Sequence, residues 1–160
     1  MKKVFILLTL LVLSAVSASA QFEQGKKYVN ANLTSAGISY SDRDELAFGF
    51  GAQGGYMIDE SVMLLGEAGF DYRNSDCRSI YAGVKGRYYI EQNGIYLGCG
   101  ARLLHEFKNY NDVQLTPEVG YAFFVSHDVV IEPSLYYDIS LTDFSHKSKV
   151  GLKIGLGVFF

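Results

Sequence analysis

Eight stretches of alternating apolar and polar residues, polar connectors between them, and charges held to one side of the alternation predict an all-β fold. The architecture they predict is an eight-stranded antiparallel up-and-down transmembrane β-barrel. The stretches fall near residues 26–39, 47–57, 62–72, 79–90, 95–106, 114–124, 129–138 and 149–160. Each is about the ten residues that a tilted strand needs to cross the hydrocarbon of a bilayer.

Ahead of the first stretch, Met1 to Ala20 reads as a cleaved signal peptide. Lys2 and Lys3 precede an apolar core, Val4 to Val16, and Ala18-Ser19-Ala20 supplies the small residues of a cleavage site. Cleavage is expected before Gln21, where no Cys stands to carry a lipid. Residues 21–160 are then one barrel domain. Removing Lys2 and Lys3 from the 14 basic residues leaves 12 against 17 acidic ones, a net charge of −5. Such mild acidity gives no reason to expect a nucleic-acid partner. No apolar run after residue 20 is long enough for a membrane helix.

The first stretch alternates at Val29, Ala31 and Leu33, then loses phase at Ser35-Ala36-Gly37, where a bulge is expected. From the third stretch on, charge decides the reading. Val62, Leu64, Gly66, Ala68, Phe70 and Tyr72 oppose Glu67 and Asp71; Ile80, Ala82, Val84 and Tyr88 oppose Lys85 and Arg87. Leu97, Cys99, Ala101 and Leu103 oppose Arg102 and Glu106, and Leu115, Val119, Tyr121 and Phe123 oppose Glu118. Val129, Ile131, Leu135 and Tyr137 oppose Glu132 and Asp138. The last stretch sets Val150, Leu152, Ile154, Leu156, Val158 and Phe160 against Lys149 and Lys153. Six acids and five bases thus share one face of six strands. In a narrow barrel they are expected to pair and fill the interior.

A soluble sandwich also segregates charge, but it has no need of aromatics at both ends of its apolar face. Here Phe48, Phe70, Tyr72, Phe107 and Tyr137 lie toward one end, and Tyr56, Tyr88, Tyr121, Phe123 and Phe160 toward the other, as in two interfacial girdles. Connectors alternate likewise. Ile58 to Ser61, Glu91 to Gly94 and Val125 to Asp128 are short, with Asn93-Gly94 a hairpin signal. Tyr40 to Leu46, Arg73 to Arg78, Phe107 to Val113 and Ile139 to Ser148 are longer and polar, the pattern of periplasmic turns and external loops. Most strand glycines share the charged parity, leaving room for charged heads to meet. Pro117 and Pro133 are expected to sit at bulges or to lose a ladder bond.

Other motifs carry less. Gly49 to Gly54 matches a nucleotide-binding glycine pattern, yet it lies inside an alternating strand with no helix after it. The sequon at Asn32 sits in a strand and carries no function there. Cys77 lies in a polar connector and Cys99 in a strand, so free thiols at different depths are expected.

A cleaved signal, eight alternating strands over the whole mature chain, short turns and a last strand ending in Phe160 resemble the small bacterial outer membrane β-barrel domain family. Its architecture is that of OmpA/OmpX-like eight-stranded barrels. The resemblance implies that Phe160, with Val158, Leu156, Ile154 and Leu152 at alternate positions before it, is the signal read by the barrel assembly machinery. It also implies that the periplasmic domain of larger relatives is absent. The expected location is the outer membrane of a Gram-negative bacterium, with extracellular loops, periplasmic termini and a monomeric state.

The partners expected are outer membrane lipid, including lipopolysaccharide, and the assembly machinery. No cofactor, metal or catalytic residue is expected. The role read from these features is a structural or surface-interaction one in the envelope. The alternatives are a small passive, porin-like pore and a lipid A-modifying enzyme, the latter resting on His105 and on Asp143, Ser145 and His146 in the longest loop. Asp42, Asp44 and Glu45, beside Arg43, read as a solvated loop tip before they read as a cation site.

Overall fold

The computed structural model describes residues 22–38, 47–73, 77–90, 93–107, 110–142 and 148–160. It contains β1 (Lys27–Ile38), β2 (Ala47–Asp59), β3 (Val62–Arg73), β4 (Cys77–Tyr89), β5 (Ile95–Glu106), β6 (Tyr110–Tyr121), β7 (Phe123–Phe124), β8 (Val129–Ser140) and β9 (Lys149–Phe159). All pairings are antiparallel and join sequence neighbours except β1 with β9 and β6 with β8, and these two close the sheet on itself. β6 and β7 form one stave interrupted at Ala122, which makes eight staves in all.

Burial follows the alternation. Along β9, odd residues from Gly151 to Phe159 are buried and even residues from Leu152 to Phe160 are exposed. The exposed face is apolar, as Leu33, Val84, Leu103 and Ile154 show. The buried face carries Glu67, Lys85, Arg87, Arg102, Glu118, Glu132 and Asp138. That inversion of ordinary burial is what a barrel in lipid requires, since the surrounding solvent is hydrocarbon.

Strand ends depart from expectation. β3 reaches Arg73 and β4 starts at Cys77, so Cys77 belongs to a strand opposite Arg73 rather than to a polar connector. β6 starts at Tyr110, not at 114, and β8 runs on to Ser140. Two loop-side connectors are therefore as short as turns, because polar residues continue a strand whose inner face is itself polar. Loop length separates the two rims only at the connectors 39–46 and 141–148. At the opposite rim Gly94 takes φ 90°, and the Asn93 side chain accepts the Ile95 amide at 2.9 Å, as the Asn-Gly hairpin predicts.

The β1–β9 register slips between Ser35 and Ile38, where the lost phase predicts a bulge. The β1–β2 register runs unbroken from Lys27 to Ala36. The prolines behave differently. The β6–β8 ladder is interrupted between Leu115 and Glu118 and again between Gly120 and Phe123, opposite Pro133, with no residue inserted at either gap. Pro117 stays paired with Cys99 and Pro133 with Ile154, so each directs its missing N–H toward the β6–β8 seam. The Ala122 amide lies on the other edge of the stave and continues the β5–β6 ladder, donating to the Gly94 carbonyl at 2.8 Å.

Cys99 is free and exposed on the outer face. It pairs with Gly86, nine residues along β4 from Cys77. At about 3.3 Å per residue the two lie roughly 30 Å apart, beyond the reach of a disulfide.

Candidate functional site

Side chains enter the lumen in three layers. At the turn end, Tyr28, Met57, Met63, Leu65, Tyr89, Tyr96, Val130 and Phe159 point inward and pack around Phe22. Phe22 precedes β1 and folds into the barrel mouth, its ring 4.0 Å from Tyr89 and 5.7 Å from Phe159. This plug is built from aromatic and aliphatic side chains in about equal number.

The waist is ionic. Glu118 Oε2 accepts from Lys85 Nζ at 2.6 Å and Lys153 Nζ at 2.5 Å, while its Oε1 faces Arg87 Nη2 at 3.2 Å. Lys85 also reaches Glu67 at 3.1 Å, and Arg87 Nη1 reaches Glu132 at 3.0 Å. Three acids and three bases thus meet with no charge left over. Gln53 bridges the group, donating to Glu67 at 3.1 Å and accepting from Arg87 at 2.8 Å. Where the waist meets the plug, Tyr28 donates to Glu132, and the Arg87 guanidinium lies 4.4 Å from the centre of the Tyr96 ring.

Toward the loop end Arg102 pairs with Asp138 and donates to Gln114 at 2.9 Å; Thr116 donates to Asp138 at 3.1 Å. Gln114 and Ser140 both donate to Asp112 at 2.9 Å. Thr34 donates to Asp71 at 3.4 Å. Between this layer and the waist lies a void of about 10 Å³ bordered by Asn32, Thr116, Tyr136 and Lys153. That is space for about one water molecule.

Several glycines on the inner face seat rings. Tyr81 lies opposite Gly69, Tyr96 opposite Gly120 and Tyr136 opposite Gly151. A Cβ at any of the three glycines would collide with its tyrosine. Gly49, Gly83, Gly98 and Gly100 instead lie against Asp71, Arg102, Arg87 and Lys85, the room for charged side chains expected of these glycines.

Of the predicted network, Glu67, Asp71, Lys85, Arg87, Arg102, Glu118, Glu132, Asp138 and Lys153 are buried in the lumen, and Glu106 is half-buried at the loop rim. The Lys149 side chain lies outside the described residues, as do residues 1–20, Asp42, Arg43, Asp44, Glu45, Asp143, Ser145 and His146. Leu152, Ile154, Leu156, Val158 and Phe160 all point outward, and Phe160 exchanges two main-chain hydrogen bonds with Lys27 at 2.8 and 2.9 Å.

Sequence reasoning missed Gln114, which lies within the predicted stretch on the parity of Glu118, and Asp112, which shares that parity and becomes visible once β6 is extended to Tyr110. It also missed the plug, whose residues sit on the parity scored as polar. His105 is turned outward, with Nδ1 2.6 Å from Asn111 Oδ1.

A closed barrel with an apolar exterior and a charged interior is a membrane-spanning β-barrel. The chain belongs to the outer membrane protein β-barrel domain family, whose model matches residues 5–160. Its fold is similar to the N-terminal β-barrel domain of Pseudomonas aeruginosa OprF, at 14% identity over 86% of this chain and 98% of that one, with a TM-score of 0.67. Neisserial surface protein A gives 16% identity over 86% and 100% of the two chains, with a TM-score of 0.67. Ail, the attachment invasion locus protein of Yersinia pestis, gives 18% identity over 86% and 99%, with a TM-score of 0.54. No curated protein matches the chain.

Proposed function

We propose that this protein is a structural and surface-interaction component of the Gram-negative outer membrane whose barrel is a filled scaffold rather than a channel. The observation that carries this reading is the Glu118 node with its three cationic partners, backed at the turn end by the aromatic plug. A solute would have to break three buried ion pairs and then displace packed rings. Each step leaves charge or apolar surface in the wrong surroundings, so the filled state wins.

In this reading residues 1–20 are a signal removed before Gln21, the turn rim and both mature termini face the periplasm, and the loops 39–46 and 141–148 face outward. Lipopolysaccharide surrounds the loop rim, the barrel is a monomer, and it carries no catalytic activity. The barrel assembly machinery recognises the strand ending in Phe160. Planar-bilayer recordings of the purified barrel test the filled state. A baseline without stable steps is expected, and reproducible unitary openings would establish the pore reading instead.

A further inference from the structure

The outer face of β4, β5 and β6 is not smooth. Near the loop rim it carries a groove of about 410 Å³ walled by Ile80, Ala82, Leu103, His105, Asn111 and Val113. The residues between them, Tyr81, Leu104 and Asp112, turn their side chains into the lumen and are buried, so the hollow opens outward. Its shape follows from the register. Ala82, Leu103 and Val113 stand side by side in one row, and Ile80, His105 and Asn111 in the next row toward the loops. Ala82 is short while Leu103 and Ile80 rise around it. Ala31, Ala52, Ala68 and Ala82 are paired in sequence around the barrel, and the groove lies where this row of alanines meets leucine.

The second row is where the apolar exterior is broken by a polar pair. Asn111 Oδ1 can only accept, so His105 Nδ1 donates to it at 2.6 Å. Beyond that contact the pair still carries the two Asn111 amide N–H groups and His105 Nε2, and both residues are exposed on this face. Polar groups on a surface bathed in hydrocarbon need partners, and at the rim those partners are the ester, amide and phosphate oxygens of lipid headgroups. The volume lies within the range of roughly 300–1,000 Å³ that encloses small ligands, and the lining is apolar below and polar above. That gradient is the one along a lipid, from acyl chain to headgroup.

We propose that this groove holds one acyl chain of a phosphorylated glycolipid from the outer leaflet, with the His105–Asn111 pair on the linkage between chain and headgroup. The proposal rests on the orientation given above, with the loop rim outward, and it gives the envelope role a specific lipid contact.

The test uses the full mature barrel, delipidated in mild detergent and titrated with purified lipid A or with phosphatidylethanolamine, bound lipid being counted by native mass spectrometry. One lipid A per barrel is expected, in preference to phosphatidylethanolamine. Ala82→Phe, which fills the groove, is expected to weaken retention roughly tenfold or more, and Asn111→Ala severalfold. Ala52→Phe, in the same row two strands away and outside the groove lining, should leave retention unchanged. Ala82→Leu serves if the larger ring prevents the heat-modifiable folded form.

Equal retention by wild type and the Ala82 variants overturns the proposal, as does equal affinity for phosphatidylethanolamine or no bound lipid. Orientation is read separately, by labelling Thr142→Cys and Ser126→Cys on intact cells with an impermeant maleimide, in a chain whose Cys77 and Cys99 are serine. Labelling at Ser126→Cys alone would reverse the orientation without touching the detergent result.

Discussion

The waist and the turn end of the lumen solve the same problem with opposite chemistry. At the waist, space is filled by charges whose cost of burial is offset only if every partner stays in place. At the turn end it is filled by Phe22, Tyr89, Phe159 and their neighbours, which need no partner and tolerate small shifts. The waist is therefore brittle and specific, and the plug is cohesive and adaptable. A barrel with only the first would admit water at its mouth, and one with only the second would have no reason to choose a single arrangement of eight staves.

The sharpest way to break that contrast is Glu118→Gln, which leaves Lys85, Arg87 and Lys153 facing a neutral amide. A loss of about 3–5 kcal/mol is expected, read as a fall in the urea midpoint of the barrel refolded in lipid vesicles. Adding Lys153→Met to it should recover part of the loss. If the single variant unfolds at the wild-type midpoint, the node contributes nothing and the ionic waist is incidental.

Phe22→Ala should cost less, about 3 kcal/mol, because only one ring leaves a plug that other rings can close over. Its barrel should still form and still give no stable conductance, since the ionic layer above is intact. Unitary openings in this variant would move the seal from the waist to the plug.

Removal of Phe160 separates folding from assembly. Its side chain points outward, so the inserted barrel loses chiefly the two main-chain bonds to Lys27, a shift of about 1–3 kcal/mol. The amount reaching the outer membrane is expected to fall severalfold. Normal insertion of the truncated chain, measured by fractionation and gel mobility on boiling, would remove the assembly role of the last strand.

The sequence made the eight staves legible because lipid inverts burial: a charge in a strand must face inward, so Glu67, Lys85, Arg102 and Glu118 mark the inner parity unaided. The same marking fails at the strand ends. Asp112 reads as loop because polar residues suit both a loop and the upper lumen. The plug is illegible for the complementary reason. Tyr28, Tyr89, Tyr96 and Phe159 are as apolar as the lipid-facing aromatics, and hydropathy alone does not tell a ring against lipid from a ring against other rings. Which acid meets which base was likewise beyond reach, since pairing across the lumen joins staves distant in sequence, such as β4 and β6.

The smallest effect concerns the wall rather than its contents. Pro117 and Pro133 both interrupt the β6–β8 seam, whereas the β3–β4 ladder runs unbroken from Val62 to Arg73. Restoring one donor with Pro133→Val adds an N–H opposite Tyr121, in a register already aligned for it. One hydrogen bond is worth about 1 kcal/mol, and the substitution also returns unfolded-state entropy that proline removes, which opposes the gain. A rise of a fraction of 1 kcal/mol is therefore expected, with amide exchange slowed locally along β8 and unchanged on β3. Exchange that stays fast along β8 would mean that something other than the missing donor keeps this seam open.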